Sequence, residues 1–315
     1  MRVGLQLDPA GDPGEVTDEA RLAEGLGFDL LSSGEHVFFY GPTSNAFITL
    51  TAAAAVTQQI KLLSALTILP LYPVVLAAKM AATLDQLSHG RFELGIGLGG
   101  EYAPEFKASG VPVAGRGARV DEQLPVLIGL LSGQRVTAAG AFGSVDGMRL
   151  DPPPVQHPHP PIWMAGRKPA AMRRVGRFAD VWLPYMLSPE SLGQGLATVR
   201  TAAVSAGRAA ESVQGGLFIW GSVDEVPGRA RQDAVDAVSR LYNQDFESLA
   251  DRCLLHGTPE QVSARIVEYA AAGVRSLIFA PACPPERRRE VVTLFAEAVL
   301  PRCRELDQEE RAHDR

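Results

Sequence analysis

Short β-type runs alternate with helical runs from one end of this 315-residue chain to the other. A strict alternation of that kind folds as a parallel sheet covered by helices, either closed into a barrel or open and doubly wound. Strands are expected at 3–7, 28–32, 61–68, 91–98, 162–165, 180–184, 216–223 and 276–280. Helices are expected at 74–87 and 118–131, from Pro169, from Ser188-Pro189 to near Gly207, from Thr258-Pro259, and over 286–304. The punctuation agrees with the alternation. Asp12-Pro13 followed by Glu15 reads as an N-cap, a proline at the first helical position and a capping box, and Thr258-Pro259 with Gln261 repeats the pattern. Val16, Ala20 and Ala23 hold helical spacing until Gly27 stops that helix. The segment 133–161 carries six prolines between 152 and 161, so a regular helix is ruled out there. It reads as an insertion with room for a hairpin, because the alternation resumes after it. Eight strands in this pattern predict a (β/α)8 TIM barrel as a single domain over 1–305, with an insertion around 133–161 and a charged, frayed tail at 306–315.

Composition narrows the function. A hydrophobic content of 46% supplies a large core and argues against disorder. The net charge of −6 argues against nonspecific binding to nucleic acid or to acidic membranes, which needs basic patches. Residues 62–78 are uncharged, but Pro70 and Pro73 interrupt them, so they read as strand, turn and helix start instead of a membrane span. Cys253, Cys283 and Cys303 form no Cys-x-x-Cys, which excludes a zinc ribbon or a dithiol motif. Their odd number, with no signal-like apolar start, leads to the expectation of a cytoplasmic protein.

In a barrel the chemistry sits at the carboxyl ends of the strands. After the second strand comes Gly34-Glu35-His36, followed by Val37-Phe38-Phe39-Tyr40. A histidine that titrates near neutrality beside a carboxylate and an apolar wall makes a site entrance; a loop whose histidine merely satisfies backbone groups is the plain alternative. Gly95-Ile-Gly97-Leu-Gly99-Gly100 holds a formal Gly-x-Gly-x-x-Gly, yet it ends the fourth strand and Pro104 opposes the long helix a dinucleotide fold requires. Close packing of a loop, or close approach of a flat ligand, accounts for it equally. After the fifth strand, Ala165-Gly166-Arg167-Lys168 runs into a helix start, a setting suited either to a phosphate or to a solvated turn. His157 and His159 lack a nearby carboxylate, and no metal is expected. No nucleophile elbow, Ser-x-x-Lys or His-Glu-x-x-His is present.

Several of these segments, taken in order, resemble the bacterial luciferase-like family of flavin and F420-dependent oxidoreductases. Residues 77–100, AAKMAATLDQLSHGRFELGIGLGG, are similar to its helix, its Asp-x-Leu-Ser-x-Gly-Arg and its glycine-ended strand. The likeness continues through Glu105-Phe106, Gly110-Val111-Pro112 and 116–131, then 161–184 and 257–280. The resemblance implies a TIM barrel, often a homodimer, that binds FMN or F420 at the carboxyl face. It implies catalytic roles for His36, near the reactive ring, and for Glu35, orienting it or lining the pocket. It implies cofactor contacts from Gly97, Gly99 and Gly100 at the ring, from Ala165, Gly166 and Arg167 at the phosphate, and from Ser64, Ala65 and Leu66, where family members often carry a non-proline cis peptide. Gly100 departs from the family, since many members have an aromatic residue there that Tyr102 could replace.

Three functions follow from the resemblance. The leading expectation is an F420-dependent oxidoreductase passing a hydride to or from a small, partly apolar organic substrate, since one Glu-His before an apolar run resembles that branch. The alternative is a two-component monooxygenase using reduced FMN and dioxygen, with a flavin reductase as partner. A non-catalytic flavin-binding homologue is the third.

Overall fold

A computed structural model of the chain describes residues 1–8 and 13–313. Eight parallel strands close into a barrel: β1 (Arg2–Gln6), β2 (Leu30–Ser33), β3 (Lys61–Ser64), β4 (Phe92–Gly97), β5 (Ile162–Met164), β6 (Val181–Trp182), β7 (Gln214–Val223) and β8 (Val274–Pro281). Each pairs with the next, and β8 returns to β1 with Arg2 opposite Ser276. The outer helices are α1 (Pro13–Leu26), α2 (Ala46–Val56), α3 (Val74–Leu87), α4 (Arg116–Leu131), α5 (Pro169–Phe178), α6 (Pro189–Ser205), α7 (Pro259–Ala271) and α8 (Arg288–Ala298).

Strand alternation sorts the core into two layers. Leu277 and Phe279 of β8 join the large cluster between strands and helices, while Ile278 packs in a separate cluster with Leu30, Leu63 and Trp163. At the amino end of the barrel Glu93, 2% exposed, accepts from Arg2 Nη1 at 2.8 Å and from Trp163 Nε1 at 2.7 Å. Both carboxylate oxygens are thereby satisfied, as a buried charge requires.

The motif 85–91, which carries much of the family likeness, lies at this amino end and serves the framework. Asp85, fully buried, accepts from Val155 N (2.7 Å), Gln156 N (3.0 Å) and Gln156 Nε2 (2.7 Å), so it pins the end of the insertion to α3. Arg91 donates to the carbonyls of Ala54, Thr57, Ile60 and Ser88 and to the Thr57 hydroxyl. Burial lowers its pKa, and these acceptors replace the water it gave up.

Several boundaries differ from the sequence reading. The third strand does not run from 61 to 68: it ends at Ser64, the Ala65–Leu66 peptide is cis, and Thr67–Ile68 pairs with β4 alone. The insertion does hold a hairpin, Val136–Gly140 with Gly143–Met148. The final helix is two, α8 and Leu300–His313, so the expected frayed tail is helical as far as His313. Leu300 and Cys303 anchor the start of the second helix: both are buried, and the Met1 amino group donates to the Cys303 carbonyl. The Thr258–Gln261 capping box is present, whereas Asp12 lies outside the described residues. The sequence reading did not identify α2, the helix Pro227–Tyr242, the short helix Ala103–Ala108 or the strand Leu255–Gly257 that pairs with the end of β7. Among the described residues no helix is long and apolar enough to cross a membrane.

Candidate active site

At the end of β2 the chain makes a close passage: a Cβ on Gly34 would lie 3.0 Å from the Ala65 carbonyl oxygen. The next two side chains then diverge. Glu35 turns inward, 7% exposed, and its carboxylate accepts from Ile68 N (2.9 Å), Tyr72 Oη (3.0 Å), Ala46 N (3.3 Å) and Asn45 Nδ2 (3.3 Å). It thus fastens the loop to the start of α2 and to the segment after the cis peptide. Burial raises its pKa, with the Ile68 and Tyr72 hydrogen bonds pulling the other way.

His36 turns toward the mouth of the barrel. Its partner is Glu105 and not Glu35: Nδ1 lies 3.1 and 3.2 Å from the two carboxylate oxygens, and Val37 N donates to the same carboxylate at 3.2 Å. Glu105 is wholly buried on the helix Ala103–Ala108. A carboxylate only accepts, so Nδ1 carries the hydrogen and Nε2 is left to act. The imidazole also stacks on Phe39 with centroids 4.2 Å apart, and Thr43 Oγ1 donates to the His36 carbonyl at 3.1 Å. These contacts fix the ring's position and tilt.

The glycine run at the end of β4 is filled by protein atoms. A Cβ on Gly97 would stand 3.2 Å from Leu66 Cβ, one on Gly99 2.7 Å from Ile68 Cγ2, and one on Gly100 2.8 Å from the Arg116 guanidinium. Arg116 Nε donates to the Gly99 carbonyl at 3.0 Å. Gly99 and Gly100 also have φ of 57° and 105°, where a side chain is strained. These glycines therefore let the 64–68 segment and Arg116 approach closely, and Arg116 takes the space beside Gly100. Ser64 is buried, and its hydroxyl is used by the Gly95 amide (2.9 Å) and carbonyl (3.1 Å), within the wall. Ala65 and Leu66 are partly exposed and pack with the inner cluster.

On the far side of the mouth Gly166, at φ 123°, receives Trp182 Nε1 on its carbonyl at 2.9 Å. Ala165 is half-buried beside it. Arg167 is exposed and lies 5.1 Å above the Tyr185 ring. Lys168 precedes α5 without a side-chain cap, so the first-turn amides of that helix add their partial positive charge to two cations.

The structure thus brings His36, Ala165, Gly166 and Arg167 to one face and leaves Glu35 and Ser64 in the supporting wall. It adds Glu105, which the sequence reading quoted within the family likeness without giving it a role. It also adds the aromatic residues Trp220 and Tyr242: Tyr242 meets Phe39 edge to face at 6.1 Å, and its hydroxyl accepts from Trp220 Nε1 at 3.2 Å. Tyr102 packs on Phe39 and Tyr40 in the same group.

Comparison with known proteins agrees with this architecture. The chain is similar to an FMNH2-dependent dimethylsulfone monooxygenase of Pseudomonas putida, with 29% identity over 93% of this chain and 88% of that protein. It is similar in structure to the monooxygenase RslO1 of Streptomyces bottropensis, with 28% identity, a TM-score of 0.80 and coverage of 96% and 99% of the two chains. The coenzyme F420-dependent tetrahydromethanopterin reductase of Methanopyrus kandleri shares the fold at 20% identity, with a TM-score of 0.79 over 95% and 98%. Residues 1–276, which contain β1 to β7 and the start of β8, the His36–Glu105 pair and the Arg167 turn, match the luciferase-like monooxygenases as a family, and the chain belongs to it.

Proposed function

We propose that this luciferase-like oxidoreductase is a monooxygenase that uses reduced FMN, received from a flavin reductase, on an organic substrate. The observation that carries the reading is the His36–Glu105 pair, set at a mouth whose opposite rim is the cationic start of α5. The residues fit the cofactor. Arg167, Lys168 and the free first-turn amides of α5 suit a phosphate dianion. Ala65 and Leu66, partly exposed at the inner cluster, offer an apolar seat for a flat ring. The two relatives at 28 and 29% identity are both monooxygenases by name, which favours this chemistry over hydride transfer.

Reduced FMN, when bound, supplies the electrons with which dioxygen is activated and one oxygen atom passed to the substrate. The chain's own residues bind, shield and handle a proton. Glu105 holds Nδ1, so Nε2 of His36 accepts or donates the proton, and the carboxylate stabilises the imidazolium that results. The rings of Phe39, Tyr102 and Tyr242 keep water from the mouth, which limits wasteful side reactions.

A second reading, F420-dependent hydride transfer to or from a small, partly apolar substrate, is favoured by one observation: a lone His36 is followed directly by the apolar run 37–40, as in that branch of the family. Titrating the purified protein with FMN and with F420, and following each chromophore's fluorescence, separates them. Micromolar binding of FMN with none of F420 supports monooxygenation; the reverse overturns it.

The active form is a homodimer in this reading. α2 has no charged residue, yet its Ile48 is 69% exposed, and Val75 and Leu76 of the neighbouring α3 are 44% and 48% exposed. An uncharged helix with apolar side chains in water is suited to a partner surface. Sedimentation of a monomer at micromolar concentration would overturn that assignment. The three free cysteines suit a reducing cytoplasm.

A further inference from the structure

The helix Pro227–Tyr242 is inserted between β7 and α7, outside the ring of eight barrel helices. It packs Ala234 and Val238 with Phe246, Leu254 and Ala282, in a cluster separate from the main core. Charges fasten its first half. Asp224, 2% exposed at the end of β7, pairs with Arg229 at 3.1 Å and with Arg287. Arg287 also pairs with Asp233, one turn beyond Arg229 on the helix. Arg287 comes from the segment before α8, so one guanidinium ties the helix to two elements of the barrel. A buried ion pair that loses one partner leaves an uncompensated charge, so this clamp resists release.

The last residue of the helix carries that fixed position to the mouth. The Tyr242 hydroxyl accepts from Trp220 Nε1 of β7 at 3.2 Å, and its ring lies 5.8 Å from that of Phe246. It then meets Phe39 edge to face, with centroids 6.1 Å apart and planes at 89°, an arrangement aromatic pairs prefer. Phe39 belongs to the loop after β2, three strands round the barrel from β7. Phe39 in turn lies flat on His36, at 4.2 Å and 17°. The imidazole needs this support. Glu105 holds it at Nδ1, and a ring held at one atom still turns about that contact. Phe39 covers one face and removes the freedom. Yet Phe39 stands in a loop whose Val37, Phe38 and Tyr40 are each more than half exposed. Tyr40 and Tyr102, which also touch its ring, are loop residues themselves, whereas Tyr242 brings a clamped helix behind it.

We infer that Tyr242 is a positioning residue: through Phe39 it sets the direction in which His36 presents Nε2, and the Arg287 clamp is its anchor. The inference rests on the reading of His36 as the group that handles the proton, and it extends that reading to the helix behind Phe39.

The His36 ring can be watched without cofactor or turnover. The full-length protein is labelled with 13C-histidine, and the His36 ring signals, identified by their loss in His36→Gln, are followed by NMR. Protons over an aromatic face resonate upfield, so the parallel stack on Phe39 displaces these signals and reports its own geometry. Tyr242→Ala should reduce the displacement by about half or more, as Phe39 begins to exchange rotamers. Tyr242→Phe keeps the ring edge and should retain most of it. Arg287→Gln should move the same signals in the same direction by a smaller amount, which serves if Tyr242→Ala does not fold. Arg287→Lys, which keeps a positive charge between Asp224 and Asp233, should bring them back toward the parent. A purely structural role would lower the urea midpoints of the variants and leave the His36 signals of the folded protein in place, and that result overturns the inference. FMN binding is titrated in the same samples. Unmoved His36 signals in variants that bind FMN overturn the positioning role and leave the FMN reading standing. Moved signals in a protein that binds no FMN keep the positioning role and remove that reading.

Discussion

Glu105, wholly buried, lies 3.1 Å from Nδ1 of His36 across a sequence separation of 69 residues. The pair joins the loop after β2 to the short helix after β4, so the strand order brings it together: β2 and β4 flank β3 in the barrel. A carboxylate buried this completely needs donors, and among the described residues it has two, the His36 ring and the Val37 amide. The arrangement leaves only Nε2 of His36 to act on a guest.

His36→Ala should lower kcat at least tenfold with secondary structure intact, because His36 stands on a loop over the core. Glu105→Gln keeps the shape and removes the charge that stabilises an imidazolium, and should lower kcat by a comparable factor. Steady-state kinetics with parallel circular dichroism checks both. Unchanged kcat in His36→Ala would remove the proton-handling assignment.

Arg167→Ala should raise the FMN dissociation constant roughly tenfold and leave kcat at saturating FMN nearly unchanged. One charge-assisted contact is worth about 1.5–3 kcal/mol, and a contact made equally in ground and transition states acts on binding alone. Fluorescence titration of FMN reads the effect. Equal dissociation constants would take the phosphate away from this turn.

Much of this fold is legible in the sequence because its signals are local. Gly27, Ser188-Pro189, Thr258 with Gln261 and the proline cluster at 152–161 each act within a few residues, and each stands where it was read. The site is less legible because its decisive contacts are long-range. Glu35 precedes His36 in sequence, yet alternate residues of a loop can point apart, and only the fold shows Glu35 bound to Ile68 and Tyr72. Glu105 carries no local mark that separates it from Glu101 four residues earlier. The glycines at 97–100 are compatible in sequence with either a flat ligand or close packing of a loop, and only the structure shows that Leu66, Ile68 and Arg116 pack against them.

Asp85→Ala separates framework from function. It leaves the Val155 and Gln156 amides and the Gln156 side chain without their acceptor, which should cost about 3 kcal/mol or more. Asp85 lies in α3 beside the amino end of β4, far from the mouth, so kcat of the folded variant should match the parent. Urea unfolding should show a lower midpoint with a similar m-value. A fall in kcat at full folding would place this motif in the catalytic machinery instead.

The Glu35 carboxyl gives the fold a pH signature. Burial holds its pKa above the usual 4.5, and its hydrogen bonds only partly offset that. The folded protein therefore binds this proton more tightly than the unfolded chain does. Stability from this group is fully present below pH 4.5 and is lost as pH rises toward the raised folded value, by at most about 1.4 kcal/mol per pH unit. Glu35→Gln removes the titration and keeps the side chain's size. The difference in unfolding free energy, parent minus variant, should thus fall as pH increases from 4.5 upward and level off above the folded pKa. Chemical unfolding at half-unit pH steps measures it, and the difference curve cancels the other carboxylates, which titrate alike in both proteins. A difference that rises with pH would mean that the four donors around Glu35 outweigh its burial, and that the carboxylate is a stabilising anchor for the loop that presents His36.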